Sequence, residues 1–506
     1  MPLSLTPSQA APAIDGEHCY RALEARDSRF DGVFFTGVKT TGIYCRPICP
    51  AKTPRASSCT FFRYAAAAEA AGFRPCLRCR PELAPYALQQ NLAHAIWKRI
   101  ADGALNDISV EVLAQQVGLS SRQMRRVVLQ EFGVTPVELA QTQRLLFAKK
   151  LLHETSLSLT ELAYAAGFGS VRRFNALFLQ RYGMAPGAMR RSSSAPGGGI
   201  CLRLAYRPPY AWDALMQYLR GRAMHGLEAV IVDGKGLAYV RSVRIGAYSG
   251  WLKVSHSEKS HQLCVELAPT LVPVVLSVLA RIREQFDLEA NPDSIEQQLQ
   301  KDSMLALQLA ATPGLRVPGT FDCFELALRA VLGQQVSVAG ASTVAGRLVG
   351  RFGDVVRTPF AEVNRHFPTP QQLLAASISD LAGLGMPGAR AATLQVVAQF
   401  ALENGFERPG SQDEWIAKMK ALRGIGEWTA QYVAMRAMRF PDAFPAGDLG
   451  LQKAAAQLAP APSPRCSEKQ LLARSADWSP WRSYAALLLW QSLSADAASA
   501  HKKENL

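Results

Sequence analysis

The chain has 506 residues, more than one ordinary core can organise and enough for about three or four compact units. Hydrophobic residues make up 48% of it, yet no apolar run approaches the ~20 residues that a membrane-spanning helix needs, which excludes a helical membrane protein. The formal net charge of +15 points to a polyanionic partner, because lysine and arginine gain affinity by releasing counterions condensed on phosphates. A merely soluble basic surface carries the same charge, so the motifs have to decide. The start, Met1-Pro-Leu-Ser-Leu-Thr-Pro, has neither the basic nor the apolar region of a secretory signal. A cytoplasmic location follows, and in that reducing compartment ten cysteines do not form a disulfide framework.

Residues 1–85 are rich in cysteine, proline and arginine and read as a small α+β domain. Cys45-Arg-Pro-Ile-Cys49 and Cys76-Leu-Arg-Cys79 are C-x3-C and C-x2-C pairs. Two such knuckles can place four thiolates tetrahedrally around one Zn2+ at about 2.3 Å. Most closed four-cysteine sites only staple a fold, so the spacing leaves a structural and a reactive role open. Cys19 and Cys59 lie outside the pattern.

The strings around the pairs, Thr40-Thr-Gly-Ile-Tyr-Cys45-Arg-Pro-Ile-Cys49 and Ala71-Gly-Phe-Arg-Pro-Cys76-Leu-Arg-Cys79, closely resemble the N-terminal domain of the Ada family, which repairs methyl phosphotriesters in DNA. The resemblance runs from about Gly16 to Glu82. It implies that Cys45 accepts the methyl group irreversibly, that Cys49, Cys76 and Cys79 complete the zinc ligands, and that Thr41, Lys52 and Arg74 contact DNA. A metal-held thiolate is the nucleophile such a transfer requires.

Residues 91–190 carry helical periodicity and an internal repeat. Ser109-Val-Glu-Val-Leu-Ala-Gln-Gln-Val-Gly-Leu-Ser120 recurs as Ser158-Leu-Thr-Glu-Leu-Ala-Tyr-Ala-Ala-Gly-Phe-Gly-Ser170, offset by 49 residues at Gly118/Gly167 and by 50 at Gly133/Gly183. Each copy reads as helix, glycine turn, serine cap and second helix. Many such hairpins never touch DNA. Two copies joined by a long helix, about Pro136 to Leu152, resemble the AraC-type regulator domain. That likeness implies recognition helices at Ser121–Glu131 and Val171–Arg181, with Arg122, Arg125, Arg172 and Arg173 facing DNA. Leu113, Val117, Val128, Leu162 and Phe174 fall on the core side.

Residues 191–199 form a Ser/Gly/Pro-rich linker. From 200 to 292, alternating segments (Leu237–Val243, Gln262–Leu267) mix with apolar-faced helices near Trp212–Arg222 and Leu271–Phe286, giving a small α+β domain. The last domain is set at 293–495; from Phe321 to Ser492 strand signals nearly vanish, so an all-α domain is expected. Within it, Leu422-Arg-Gly-Ile-Gly-Glu-Trp428-Thr-Ala-Gln-Tyr432 sets a glycine turn between helices Glu414–Ala421 and Glu427–Met438. Gly424 and Gly426 let backbone amides approach a phosphate, although the same string can be only a tight turn. Phe444-Pro-Ala-Gly-Asp448 then places a carboxylate on a loop.

The combination resembles the HhH-GPD superfamily of base-excision glycosylases and, within it, the 3-methyladenine DNA glycosylase II (AlkA) type. Ala330-Val-Leu-Gly-Gln-Gln-Val-Ser337, Pro480-Trp-Arg-Ser-Tyr-Ala-Ala-Leu-Leu-Leu-Trp490 and Pro208-Pro-Tyr-Ala-Trp212 support it. The resemblance assigns Asp448 as catalytic carboxylate, Trp428, Tyr432 and Trp490 as the base pocket, and Gln335 as the residue inserted where a base has left the stack. Core packing is the competing role for Tyr432. Trp428 stands where strand-cleaving members carry an amine, so lyase chemistry is not expected. The P-C-H-R string of a second methyl acceptor is absent. The resulting expectation is a multidomain, mainly α protein with α+β parts. It would combine a zinc methyl acceptor, a DNA-binding activator that works with RNA polymerase at bacterial nucleoid DNA, and a glycosylase. The rival is a purely regulatory protein whose last domain has lost catalysis.

Overall fold

The computed structural model describes residues 15–81, 84, 92–190, 200–234, 236–406, 411–459 and 466–504, with side chains described as far as 493. The expected linker at 191–199 lies outside them. The chain divides into two compact units. Met1–Arg207 forms the first with Lys259–Cys264 and Leu271–Ala280; Pro208–Glu258, Val265–Thr270 and Arg281–Leu506 form the second. Among the described residues no helix is long and apolar enough to cross a membrane.

The first unit opens with the helix Gly16–Glu24 and goes on to a four-stranded sheet in the order Cys59–Phe62, Phe35–Val38, Ile43–Cys45, Arg74–Pro75. Three strands are antiparallel and the last is parallel to its neighbour, with Tyr44 opposite Pro75. That register sets Cys45 at one strand end beside Cys76, whose N–H donates to the Tyr44 carbonyl at 3.0 Å. The repeat forms two helix-turn-helix hairpins, Val110–Gln116 with Ser121–Phe132 and Leu159–Ala165 with Val171–Tyr182, joined by the helix Pro136–Glu154. Serines 120 and 170 cap the second helices. Glycines 118, 133, 167 and 183 take positive φ at the turns, which L side chains rarely adopt.

Glu69 is buried where these pieces meet. It accepts hydrogen bonds from the Tyr44 hydroxyl (2.9 Å) in the sheet and the Thr142 hydroxyl (3.2 Å) on the long helix, and it pairs with Arg181 on the second recognition helix. The Lys149 ammonium, also buried, donates to the Cys76 carbonyl at 3.0 Å. The cysteine domain and the hairpins therefore pack through polar links with their donors and acceptors matched.

In the second unit the strands Glu228–Asp233, Gly236–Ile245 and Tyr248–Ser257 form an antiparallel meander, with Glu228 opposite Arg241 and Ile245 opposite Tyr248. The first and last of these strands were not expected from the sequence. The helix expected at 212–222 ends at Arg220, leaving Arg222 on a tightened turn whose N–H bonds to the Leu219 carbonyl at 3.1 Å. The helix expected at 271–286 starts as a 3-10 segment over Pro269–Val274 and is α only over Val275–Gln285. Pro273, inside that first segment, has no N–H to give an α-helix. From Pro292 onward the unit is helical, and its last helix reaches Glu504. Helices Cys323–Leu332, Gly388–Asn404, Glu427–Arg436 and Arg482–Glu504 enclose a core that includes Leu328, Leu394, Trp415, Val433 and Leu488.

Burial lifts Glu69 from its ordinary 4.5 to about 7, against the lowering effects of Arg181, Tyr44 and Thr142. A folded pKa above the unfolded one means that its contribution to stability is complete below 4.5 and is lost as pH rises through about 7. Glu69→Gln is therefore expected to flatten the first unit's melting temperature across that window in calorimetry of the whole protein. An unchanged pH slope would show that Glu69 does not set it.

Candidate functional site

Four sulfurs converge at the sheet end. The Sγ atoms of Cys45, Cys49, Cys76 and Cys79 all lie within 4.8 Å of one another. Tetrahedral Zn2+ with Zn–S near 2.3 Å sets sulfurs about 3.8 Å apart, so the donor set fits that ion in both chemistry and spacing. Two N–H groups already point at sulfur, Arg46 to Cys79 (3.3 Å) and Arg78 to Cys76 (3.4 Å). Cys49, Cys76 and Cys79 are 6 to 7% exposed, whereas Cys45 is only partly buried. A cavity of about 540 Å³ adjoins the cluster and is lined by Thr41, Lys52, Arg74 and Arg78, with Tyr182 and Met184 from the end of the second hairpin. Sequence reasoning missed Arg46, which is buried and forked onto Asp31 and donates to the Cys79 carbonyl at 3.0 Å. Its signal was its place inside the C-R-P-x-C string.

Both recognition helices bury one face, Met124, Val128 and Phe132 in the first and Phe174, Phe178 and Tyr182 in the second. Arg122, Arg125, Arg172 and Arg173 lie exposed on the outer faces, and Arg125 reaches Glu111 at 3.1 Å. Leu113, Leu162 and Phe174 are buried and Val117 packs on the core. Gln123 is spent locally, closing a capping box with Ser120.

The second unit holds a cavity of about 1010 Å³ whose lining includes Asp448, Trp428, Tyr432, Trp490, Tyr218 and Arg222. Asp448 caps the helix Leu449–Gln457: its Oδ1 accepts from the Leu451 N–H and the Trp490 indole N–H, both at 2.9 Å. Oδ2 accepts from the Trp428 indole N–H, also at 2.9 Å. The indoles thus do more than offer faces; their edges fix the carboxylate. Trp428 and Tyr432 stack with centroids 5.3 Å apart, and Trp490 stands edge-on to Tyr432 at 6.2 Å. The Tyr432 hydroxyl accepts from Arg436 at 2.7 Å. Burial raises this phenol, but the charges of Arg436 and Arg222 and the hydrogen bonds from Tyr218 and Arg436 outweigh it and bring it down to about 8.

The hairpin Gln412–Lys420 and Glu427–Arg436 borders the same cavity. Gly424 has φ +88, and a Cβ there would sit 2.1 Å from the Thr393 hydroxyl, so the position admits only glycine. Gly426 begins the second helix with no side-chain cap and open space beside it, leaving the first amides accessible. Gln335 is exposed with φ +56 on the loop before Ser337. Its neighbour Gln334, which the sequence did not single out, ties that loop to the hairpin through the Gly424 carbonyl and the Thr429 hydroxyl, each at 3.0 Å.

A four-cysteine metal centre, paired helix-turn-helix hairpins and a helix-hairpin-helix beside a carboxylate-bearing cavity define a DNA-binding repair protein of composite build. Family models agree domain by domain: the metal binding domain of Ada over residues 18–82, a helix-turn-helix domain over 113–192, the AlkA N-terminal domain over 201–322 and the HhH-GPD superfamily base excision DNA repair protein over 328–480. A protein of Mycobacterium tuberculosis named "Probable bifunctional transcriptional activator/DNA repair enzyme AlkA" is 38% identical over 492 residues, 95% of this chain and 97% of that one. The chain belongs to this bifunctional Ada/AlkA family. DNA-3-methyladenine glycosylase 2 of Escherichia coli is 35% identical over 57% of this chain and 95% of its own. The bifunctional transcriptional activator/DNA repair enzyme Ada of the same organism is 36% identical over 26% of this chain and 38% of its own.

The metal centre makes a direct prediction. Purified protein is expected to carry one zinc per chain, and Cys76→Ala to lose it, because removing a buried ligand forfeits most of the metal's folding energy. Metal analysis with calorimetry checks this: the first unit's transition should fall by many degrees while the second unit's stays. Full zinc content in the variant would disprove the ligand.

Proposed function

We propose that the two units perform two linked tasks on DNA. The protein is an alkylation-response protein: a zinc-thiolate methyl acceptor and transcriptional activator joined to an alkylbase DNA glycosylase. Within it we assign residues 1–85 to the acceptor, 91–190 to operator binding, 200–292 to the α+β domain of the glycosylase and 293–495 to its helix-hairpin-helix domain. Binding at a promoter makes RNA polymerase the further partner, and the site of action is the bacterial cytoplasm at the nucleoid.

The acceptor assignment rests on Cys45 being the least buried of four clustered sulfurs and opening onto the cavity lined by Thr41, Lys52 and Arg74. Bound zinc keeps the sulfur deprotonated at neutral pH. The Cys45 sulfur attacks the methyl carbon, the carbon–oxygen bond to the phosphotriester breaks, and a phosphodiester anion leaves. The product thioether carries one negative charge less than the thiolate, which favours phosphate binding through Lys52 and Arg74 and strengthens operator affinity. Arg122, Arg125, Arg172 and Arg173 supply the operator contacts, and their exposure on the outer helix faces supports that role.

The glycosylase assignment rests on the carboxylate of Asp448, fixed by two indole N–H groups in a cavity beside the helix-hairpin-helix. An N3- or N7-alkylated purine is already cationic and leaves readily. What the site must supply is a pre-oriented negative charge beside the developing oxocarbenium sugar, or a base for the attacking water. Trp428, Tyr432 and Trp490 form the walls of the base pocket, Gly424 and Gly426 hold a phosphate through backbone amides, and Gln335 fills the vacated stack.

Asp448→Asn is expected to lower single-turnover excision of 7-methylguanine by orders of magnitude while binding to an abasic-site analogue persists. The amide removes the charge and, with one acceptor oxygen left, also leaves one indole N–H facing an NH2 group. Excision at the wild-type rate would remove Asp448 from the mechanism. Trp490→Phe keeps a ring but deletes one N–H, and a loss on the order of tenfold in the same assay is expected for that hydrogen bond. For the first unit, Cys45→Ala should abolish transfer of a labelled methyl group from a DNA phosphotriester; transfer that persists would refute the acceptor.

A further inference from the structure

We infer that Arg222 determines which bases the cavity of the second unit accepts, favouring those with an exocyclic carbonyl oxygen over those with an amino group in its place. The inference rests on the reading of that cavity as the base pocket.

Four arginines line the cavity, and they differ in how their donors are spent; Arg390 donates to the Gln334 carbonyl at 2.6 Å. Arg329 pairs with Glu228 and, at 3.1 Å, with Glu325. Arg436 donates to the carbonyls of Pro318 (2.7 Å) and Gly319 (3.1 Å) and to the Tyr432 hydroxyl (2.7 Å). Arg222 has no carboxylate partner among the described residues. Its guanidinium lies 3.7 Å from the centroid of the Tyr218 ring and makes one long hydrogen bond, 3.5 Å, to the Tyr218 carbonyl. Stacking on a ring leaves the planar edge of a guanidinium, with its N–H donors, free to face an acceptor.

The backbone under this side chain is fixed. Arg329 donates to the Arg222 carbonyl at 2.9 Å, and the Arg222 N–H closes the turn at Leu219. The Tyr218 hydroxyl in turn lies 3.5 Å from that of Tyr432, whose ring stacks on Trp428, so Arg222 stands one aromatic ring away from the wall that holds Asp448. Its charge also helps to lower the Tyr432 phenol against the raising effect of burial.

A fixed guanidinium changes what the pocket selects. Aromatic walls alone would draw in any cationic base. Arg222 opposes a bare positive charge and rewards an oxygen lone pair, so the criterion becomes the acceptor. The two lesions differ in the position of the methyl group, in what they carry at nitrogen 1 and at carbon 2, and also at the group an arginine donor would read: 7-methylguanine presents a carbonyl oxygen at carbon 6, whereas 3-methyladenine presents an amino group there, whose hydrogens would meet the arginine's own. A site built to satisfy one polar pattern rejects the other because desolvated donors are left unpaired.

The test is single-turnover excision of 7-methylguanine and 3-methyladenine from otherwise identical duplexes by the full-length protein, comparing wild type with Arg222→Leu and Arg222→Lys. The ratio of the 7-methylguanine rate to the 3-methyladenine rate is expected to fall by about tenfold or more in Arg222→Leu, the worth of a charge-assisted hydrogen bond, and to recover in part in Arg222→Lys. An unchanged ratio overturns the inference even where both rates drop, since loss of folding or of phosphate binding lowers both together. If Arg222→Leu lacks a cooperative melting transition, Arg222→Gln carries the same comparison. Asp448→Asn in parallel separates the two readings: if it excises both bases at the wild-type rate, the pocket reading fails; if it loses both while the Arg222→Leu ratio stands, only the selectivity fails.

Discussion

The carboxylate of Asp448 is reached by two indole N–H groups from different helices and by the backbone N–H of its own helix. Three elements far apart in the chain share one acceptor, and the shape of the cavity follows from that convergence. The loop before it is held in the same way: the Phe444 N–H donates to the Gln431 side chain at 3.1 Å, and the Gln452 side chain donates to the Ala446 carbonyl at 2.9 Å. A charge acting on a developing cation gains most when it does not have to reorient, and a carboxylate held by these contacts suits the role proposed for Asp448. A glycosylase domain kept only as a regulatory remnant would not need this degree of fixation, which weighs against the rival reading.

The first unit solves a different problem with similar means. A cluster of four cysteines cannot hold a core of its own size, so the strand register brings Cys45 and Cys76 together, and Arg46, paired with Asp31, links the loop that carries Cys49 to the Cys79 carbonyl on the other loop. Metal then supplies the remaining folding energy. Glu69 and Lys149 extend the bracing into the hairpins, and the cavity beside the cysteine cluster has walls from both the cysteine domain and the end of the helix Val171–Tyr182. Cys45 and the helix-end residues Tyr182 and Met184 thus line one cavity within the first unit.

Both halves use arginine in two ways. Arg46, Arg329 and Arg436 are committed to carboxylates or carbonyls, where a planar fork saturates fixed acceptors and the charge no longer projects outward. Arg122, Arg172, Arg173 and, inside the cavity, Arg222 keep donors available. The +15 of the whole chain says nothing about this division, although function depends on it.

Much of this was legible in the sequence because the chemistry sits in short, local strings. The cysteine pairs, the repeated glycine-serine turns, the L-x-G-I-G hairpin and the loop carrying Asp448 each specify a local backbone and a reactive group within a dozen or so residues. The architecture, the zinc ligands and the paired hairpins could therefore be read without coordinates. What the sequence could not contain is the pairing of distant side chains. That Trp428 and Trp490 point their N–H groups, rather than only their faces, at Asp448 depends on how two helices pack. Gln334 rather than Gln335 anchors the loop because the backbone turns to positive φ between them. Arg222 was assigned to a helix end and passed over, since nothing local distinguishes a solvated arginine from one folded over Tyr218 into a cavity. Local strings determine which groups are present and how the nearby backbone turns; only tertiary packing decides which of those groups leave water, which partners they meet there, and hence which charges remain free to act.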